Sequence, residues 1–224
     1  IDDYLNHQLN YEKKYGKKTI VLMEVGSFFE FYGVSNDKEQ IGDAKKVCEL
    51  LNIQLTRRNK SILENSRKNA LMAGFPSHSM KRFVNLLVQN NYTIVLIEQT
   101  TPPPNPQREI TKIISPGTYI DEVPDSEANN IISVLINEEK CYKTGIQQYS
   151  IGLSGIDLTT GKNTIYELYS NKNDEQVIFE EVYRFIESFN PKEILIIPYN
   201  IQSLIRERIL NYINLNNRKY HYIT

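Results

Sequence analysis

Cysteine and histidine are scarce in this sequence, and each scarcity argues against a class of protein. Two cysteines, Cys48 and Cys141, are too few for a disulfide framework and predict an intracellular protein in a reducing compartment. The histidines, His7, His78 and His221, are too widely separated for metal-ligand spacing. Long apolar runs are also lacking, since none approaches the roughly 18 residues of a membrane span. The sequence therefore predicts no metal site and no membrane association.

A strong net charge is absent as well. The 26 Lys and Arg residues nearly balance the 27 Asp and Glu residues, which argues against a protein that grips nucleic acid over its whole surface. Residues 1–122 carry 16 basic and 14 acidic side chains, against 10 and 13 in residues 123–224. The basic residues of the first part form three clusters: Arg57, Arg58 and Lys60; Arg67 and Lys68; and Lys81 and Arg82. Such clusters suit either a solvated face or contacts with phosphate groups.

The first part of the chain alternates helical and strand patterns, which predicts a mixed-sheet α/β domain. The predicted helices span 2–15, a segment capped by Ser35 and ending at 51, and a segment opened by Pro76 and reaching 87. The predicted strands are 19–25, 28–32, 53–57, 92–98 and 109–115. Residues 59–69 are predicted to form a polar loop, and the proline-rich residues 101–106 an extended one.

A domain boundary is predicted near 118–128, where acidic residues accumulate around Pro124, giving domains 1–122 and 123–224. Beyond it we expect consecutive antiparallel strands at 131–136, 143–149, 150–158 and 163–169, then a helix at 174–189, a strand at 193–198 and a helix at 201–213. This meander followed by an α-β-α pattern is typical of a ribonuclease-H-like layout. The chain is long enough for two such domains. It begins with isoleucine, which predicts a piece of a longer protein.

Residues 26–32, Gly-Ser-Phe-Phe-Glu-Phe-Tyr, form the most informative segment of the sequence. In an extended chain Phe28 and Glu30 share one face, while Phe29 and Phe31 share the other. A large ring beside a carboxylate is a poor core pattern. It suits a surface that inserts an aromatic ring between bases while an acid meets a base edge. An aromatic core strand with Glu30 in solvent is the other interpretation.

Residues 26–32 resemble the Gly-Asp-Phe-Tyr-Glu-Leu-Phe signature of the MutS mismatch-recognition domain. Five further segments resemble MutS motifs in the same order: 51–58 (Leu-Asn-Ile-Gln-Leu-Thr-Arg-Arg), 72–78 (Met-Ala-Gly-Phe-Pro-Ser-His), 95–99 (Val-Leu-Ile-Glu-Gln), 114–118 (Ile-Ser-Pro-Gly-Thr) and 155–161 (Gly-Ile-Asp-Leu-Thr-Thr-Gly). The last resembles a turn of the MutS connector domain. The chain departs from the family pattern at Ser27, where Asp is usual, and in the 59–69 loop.

The resemblance implies a mixed-sheet α/β mismatch-binding domain followed by a ribonuclease-H-like α/β connector domain. Its partner would be double-stranded DNA with mismatches or small loops, entered from the minor groove by Phe28 as a wedge, with Glu30 contacting a base. The predicted DNA-binding residues are Phe28, Glu30, Arg57, Arg58, Lys60, Met72, Phe75 and Pro76. The basic members would hold the phosphate backbone, and the last three would mainly support the wedge.

Catalysis is not predicted for this chain. A ribonuclease-H-like nuclease needs a metal-binding carboxylate in its first strand, and residues 130–137 contain none. Asp157 is instead predicted to be a turn residue beside Thr159 and Thr160. Residues 155–163 lack the glycine and lysine spacing of a phosphate loop, so no cofactor is predicted here.

Functions of a longer protein follow only from the resemblance. It implies a full-length DNA-dependent ATPase that uses ATP and Mg²⁺ and forms a homodimer, both through domains outside this chain. The alternative is a MutS-like structural or recombination module that keeps the fold without recognising mismatches. The combination of Phe28 and Glu30 favours mismatch recognition, because relatives without that function lack the pair.

Overall fold

The computed structural model describes residues 1–120, 128–170, 175–201, 203–213, 215 and 218–223. The chain divides into two compact units, residues 1–119 and residues 120–224. The predicted boundary region near 118–128 includes residues 121–127, which lie outside the described residues.

The first unit is a mixed sheet with three helices. Its elements in chain order are α1 (Asp2–Tyr15), β1 (Thr19–Val25), β2 (Phe28–Ser35), β3 (Gln40–Ile41), α2 (Ala44–Leu51), β4 (Thr56–Arg57), β5 (Leu71–Pro76), a 3₁₀ turn (Ser77–Ser79), α3 (Met80–Gln89), β6 (Thr93–Gln99) and β7 (Arg108–Ile114). The strand order is β4-β5-β2-β1-β6-β7, with β3 beside β2. Only the central pair of β1 and β6 is parallel; the other pairs are antiparallel. The predicted mixed α/β class is confirmed.

Side chains of helix α1 satisfy backbone groups of β1 where β1 is not paired with β2. The described pairing of β1 with β2 begins only at Met23, so the earlier backbone groups of β1 need other partners on that side. The buried Gln8 side chain donates to the Thr19 carbonyl at 2.7 Å and accepts from the Val21 amide at 2.9 Å. The Tyr4 hydroxyl donates to the Val21 carbonyl at 2.7 Å. These bonds fix α1 against the end of the sheet opposite to the β1–β2 turn.

Aromatic side chains dominate the core on one side of β2 and β5. Phe29 and Phe31 are buried, and Phe75 on β5 lies between Phe29 and Phe83 of α3. The ring centroids of Phe75 and Phe83 are 4.4 Å apart, and those of Phe75 and Phe29 are 6.3 Å apart. Residues 26–32 therefore belong to a strand whose alternate side chains anchor it in the core.

Two predicted helix starts were wrong. Ser35 is the last residue of β2, because Ile41 of β3 pairs with Val34 and keeps this segment in the sheet. Helix α2 begins after Asp43 instead. Pro76 is the last residue of β5, where it pairs with Phe28, and α3 begins only at Met80. In both places cross-strand pairing extends a strand over a residue that is locally well suited to start a helix.

The second unit is a five-stranded sheet with α4 and α5. Its elements are β8 (Asn130–Lys140), β9 (Gln147–Asp157), β10 (Asn163–Tyr169), α4 (Gln176–Phe189), β11 (Glu193–Tyr199), α5 (Ser203–Tyr212) and β12 (Lys219–Tyr222). The strand order is β10-β9-β8-β11-β12. Strands β8, β9 and β10 form an antiparallel meander, while β11 is parallel to both β8 and β12.

The strand prediction for the second unit needs two corrections. The strands expected at 143–149 and 150–158 are one strand, β9, because β8 pairs with it without interruption from Lys140 to Asn130. Residues 141–146 form the turn between the two. Strand β12 was not predicted: it is only four residues long, and its alternation of polar and aromatic residues is the reverse of the usual one, with Lys219 buried and Tyr220 and Tyr222 exposed.

The turn between β9 and β10 confirms the role predicted for Asp157. One carboxylate oxygen of Asp157 accepts from the Thr159 amide at 3.0 Å and from the Thr159 hydroxyl at 2.6 Å; the other accepts from the Thr160 hydroxyl at 2.6 Å. The hydrogen bonds from Thr159 and then Thr160 lower the pKa of Asp157 to about 2. Asp157 also accepts from the Asn129 amide at 3.2 Å, so it organises its own turn and connects that turn to the residue before β8.

Candidate nucleic-acid interface

A braced hairpin carries Phe28 at one end of the first sheet. Gly26 and Ser27 form the two-residue loop between β1 and β2, and Gly26 has a φ of 61°, which glycine adopts easily. The Gln99 side chain donates to the Gly26 carbonyl at 3.1 Å, and the Ser77 amide donates to the Ser27 carbonyl at 2.9 Å. The loop is therefore held on one side by β6 and on the other by the 3₁₀ turn after β5, and it presents Phe28 in a fixed place.

The predicted division of side chains between the two faces of β2 is confirmed. Phe28 is 45% exposed and Glu30 is half-buried, whereas Phe29 and Phe31 are 3% and 0% exposed. Across the sheet Phe28 lies between Val25 of β1 and Pro76 of β5. The ring stands at the end of an interior strand, on the same face as the Glu30 carboxylate, where it is open to a ligand. The core-strand interpretation holds for Phe29 and Phe31, while the Phe28 face is open at Phe28 and becomes buried again at Tyr32.

Glu30 has a restricted position over a glycine. It pairs with Gly74 of β5, and a Cβ atom at Gly74 would lie 2.7 Å from the Phe29 carbonyl oxygen and 3.1 Å from the Glu30 Cγ. Only glycine leaves room for the Glu30 side chain to lie there. The Tyr32 hydroxyl, two residues along the same face, donates a hydrogen bond to Glu30 Oε2. The carboxylate is thus held within the sheet surface instead of extending freely into solvent.

The structure separates the two arginines that sequence analysis grouped together. Arg57 pairs with Leu71, which pairs with Gly33, so Arg57 belongs to the face opposite to Phe28. It lines a cleft of about 320 Å³ together with Lys60 and Leu55. Strand alternation places the next residue, Arg58, on the Phe28 face, and its amide continues the ladder to the Ala70 carbonyl at 3.3 Å.

The remaining predicted residues take different places around the wedge. Met72 is half-buried and pairs with Tyr32 on the Phe28 face, and Pro76 is the cross-strand neighbour of Phe28. Phe75 points to the opposite face and is 1% exposed, so of the two roles open to a predicted DNA-binding residue it has the supporting one and not a contact with bases. Its buried ring instead supports the strand beneath the site.

The loop formed by residues 59–69 is held in shape by its own polar side chains, and the Asn65 side chain connects it to the end of β2 by accepting from the Ser35 amide at 3.1 Å. The buried Asn69 donates to the carbonyls of Ile62 and Glu64 at 3.0 and 2.9 Å. Arg67, part of a predicted basic cluster, forms a salt bridge with Glu39 at 3.0 Å. Arg67 is therefore paired with a carboxylate of the protein, which favours a structural role over a contact with a DNA phosphate.

Sequence analysis missed two residues on the Phe28 face, Gln99 and Arg108. They pair with each other across β6 and β7, and Arg108 Nε donates to the Glu24 carbonyl at 2.8 Å. Burial and Glu30 raise the pKa of the Tyr32 hydroxyl, and the charges of Arg58 and Arg108 oppose that rise, in keeping with two cations on the same face. The 95–99 motif contained Gln99 as a signal, but Arg108 is an isolated basic residue after a proline-rich loop and had none.

Neither a metal centre nor a membrane helix is present among the residues that the structure describes. Within these residues no three His, Cys, Asp or Glu side chains are grouped so that they could hold a metal ion. No described helix combines the length and apolar character needed to cross a membrane.

Fold and site together define a two-domain α/β protein whose first domain presents an aromatic ring and charged groups at one end of a sheet. The family model described as MutS domain I matches residues 6–123, which is more than half of the chain. The chain belongs to the MutS family.

Individual relatives agree with this assignment. The chain is 34% identical over 221 residues, 97% of its length, to a mutS homolog of Acanthamoeba polyphaga mimivirus. It is 34% identical over 182 residues, 79% of its length, to the DNA mismatch repair protein MutS of Chlorobium phaeobacteroides, and 28% identical over 201 residues, 88% of its length, to that of Thermotoga neapolitana. These matches cover 19%, 18% and 21% of the relatives, so the chain spans about a fifth of their length.

A solved structure of a family B DNA polymerase from Pyrobaculum calidifontis also matches, at 10% identity. The match covers 84% of this chain and 30% of the polymerase with a TM-score of 0.27, which is too low to bear on the fold.

Proposed function

We propose that the first unit recognises mismatches and small loops in double-stranded DNA during DNA mismatch repair. Phe28 acts as the wedge and Glu30 contacts a base in the minor groove of kinked DNA. The observation that carries this proposal is the 45% exposed Phe28 ring on a hairpin braced by Gln99 and Ser77, with Glu30 on the same face. The names of the bacterial relatives, DNA mismatch repair protein MutS, support the same function.

The wedge recognises a mismatch through the cost of deforming DNA. An apolar side chain that enters the minor groove must unstack a base step, which costs a few kcal/mol and allows more contacts with the kinked duplex. A mismatched or unpaired step is already poorly stacked, so inserting Phe28 there costs less. The difference in deformation energy then becomes a difference in affinity.

Glu30 adds selectivity against normal DNA. A carboxylate near the phosphate backbone is repelled unless a base satisfies it with a hydrogen bond. A fully paired duplex has no free donor on its imino positions, whereas a mispaired or unpaired base can offer one. Glu30 therefore disfavours paired DNA more than mismatched DNA.

The cations of the Phe28 face hold the DNA backbone in this proposal. Arg58 and Arg108 lie on the same face as Glu30 and Tyr32, and phosphate contacts from them would position the duplex without reading its sequence. Arg57 and Lys60, on the other side of the sheet, contribute less directly.

The second unit serves as a connector domain of the ribonuclease-H-like class. The antiparallel meander β8-β9-β10, followed by β11 and β12 parallel to β8, supports this layout. Its first strand, β8, carries no carboxylate before Glu138, so a nuclease site is not assigned to it.

The functions of the longer protein are proposed from the relatives, which are about five times the length of this chain. We infer an intracellular DNA-dependent ATPase that binds ATP and Mg²⁺ and forms a homodimer, both through domains outside this chain. Residues 155–163 lack phosphate-loop spacing, so no ATP contact is assigned to them.

We expect the isolated 224-residue chain to bind DNA weakly. A single unit makes only a few phosphate contacts and has no second subunit to help it enclose the DNA. Its dissociation constant should be in the micromolar range or weaker, and its affinity should fall as the salt concentration rises. Fluorescence anisotropy with a labelled duplex at low and physiological salt measures both quantities. Nanomolar binding that does not depend on salt would contradict this account.

Charge reversal at Arg58 should weaken binding of the full-length protein to matched and mismatched duplexes by similar factors. The reason is that phosphate contacts carry no sequence information, and the loss of one should reduce the salt slope by about 1. Arg57→Glu is the matched variant with the smaller expected effect, because Arg57 belongs to the opposite face. Titrations with a mismatched duplex and its paired counterpart give the comparison.

Two results of these titrations would change the assignment. If Arg58→Glu weakened only mismatch binding, Arg58 would have to contact a base instead of a phosphate. If the unmodified full-length protein showed no preference for the mismatched duplex, the proposed function itself would fail.

A further inference from the structure

Tyr32 differs chemically from the residue that the MutS signature has at its position. The signature ends in phenylalanine, which has no hydroxyl group, whereas the Tyr32 hydroxyl donates to Glu30 Oε2. The Tyr32 side chain is 6% exposed, and its ring packs edge-on against Tyr4 with centroids 4.9 Å apart and an interplanar angle of 72°. The Tyr4 hydroxyl is itself bonded to the Val21 carbonyl. The packing against Tyr4 therefore restrains the Tyr32 ring and fixes the position of the hydroxyl that donates to Glu30.

The hydroxyl of Tyr32 acts as a donor at neutral pH. Burial, and then the hydrogen bond to Glu30, raise the pKa of Tyr32 above its usual value, while Arg58 and Arg108 oppose this shift. The phenol thus keeps its proton and donates it to the carboxylate. Because Tyr32 also packs against Tyr4, it cannot rotate away without losing a buried contact.

We propose that Tyr32 is a positioning residue that sets the base preference of Glu30. This inference rests on the proposed function of the first unit. With Oε2 bonded to Tyr32 and the side chain lying over Gly74, Glu30 offers Oε1 as an oriented hydrogen-bond acceptor. An oriented acceptor favours a base that presents an imino N–H and disfavours one that presents a bare ring nitrogen at that place.

Thymine and cytosine separate these two possibilities at nearly the same size. An unpaired thymine presents its N3–H, whereas an unpaired cytosine presents a bare N3, and both carry O2 beside it. A duplex with one unpaired thymine and the same duplex with one unpaired cytosine are therefore matched probes for the orientation of Glu30. We expect the protein to prefer the unpaired thymine.

The test is Tyr32→Phe in the full-length protein, with affinities measured for the unpaired-thymine, unpaired-cytosine and fully paired duplexes. The variant loses the hydrogen bond that orients the Glu30 carboxylate, and hydrogen bonds to charged groups are among the stronger ones in proteins. We therefore expect the ratio of the affinities for the unpaired-thymine and unpaired-cytosine duplexes to fall about tenfold. Affinity for the paired duplex should change little. Tyr4→Phe is the matched control: it removes a hydroxyl beneath Tyr32, lowers the melting temperature and should leave the base preference intact.

A second pair of variants identifies the route of the effect. If Tyr32 acts through Glu30, then Tyr32→Phe should change the preference no further in a Glu30→Gln background. An additional loss in that background, or an unchanged preference in the single variant, would overturn the role of Tyr32. Neither outcome would count against mismatch recognition itself. The proposed function would be refuted by a different result: an unmodified protein that prefers neither heteroduplex over paired DNA.

Discussion

Phe28→Ala in the full-length protein should remove roughly ten- to hundredfold of the preference for mismatched over paired DNA. Base–aromatic stacking contributes about 1–3 kcal/mol per base, and alanine leaves no ring to stack. The melting temperature should hardly change, because Phe28 is 45% exposed and its neighbours Phe29 and Phe31 keep the strand in the core. Heteroduplex titrations beside thermal unfolding measure both effects.

A matched control separates the loss of the wedge from the loss of any exposed apolar group. Ile165→Ala, in the second unit, removes an 80% exposed side chain from β10 and should alter neither the preference nor the melting temperature. A large fall in melting temperature for Phe28→Ala would show that Phe28 is a core residue, and the proposed function would lose its main support.

Phe75→Ala should have the opposite signature, with a loss of about 3–5 kcal/mol in the free energy of unfolding of the first unit. Phe75 is 1% exposed and packs against Phe83 at 4.4 Å and against Phe29 at 6.3 Å between ring centroids. Truncation leaves a cavity in an aromatic cluster that cannot collapse easily. Denaturant unfolding followed by circular dichroism measures the change.

Phe75→Leu provides the graded control for this experiment, because it retains much of the apolar volume and should destabilise the unit less. If Phe75→Ala kept full stability and lost only mismatch binding, the ring would have to reach DNA, in conflict with its burial. The pair Phe28→Ala and Phe75→Ala thus assigns the two phenylalanines to different faces by experiment.

The amino-acid sequence alone determined the α/β class and the two-faced character of residues 26–32. Both are encoded locally: helices repeat near 3.6 residues, and a strand alternates sides at every residue, so Phe28 and Glu30 share a face wherever the strand lies. The turn role of Asp157 was equally accessible from the sequence, because Thr159 and Thr160 are only two and three residues away; its bond from the distant Asn129 amide was not. Family membership followed from an ordered series of motifs in the same way.

Tertiary pairing decided the rest of the site. The register of β4 on β5 sends Arg57 to one face and Arg58 to the other. The parallel pairing of β6 with β1 joins segments more than 70 residues apart, and β7, paired with β6, thereby brings Arg108 to the Phe28 face. Cross-strand pairing also places Ser35 and Pro76, both expected to start helices, in strands: Ser35 pairs with the nearby Gln40 and Pro76 with the distant Phe28. A sequence states which side chains alternate, but hydrogen bonds between distant strands determine which of them meet.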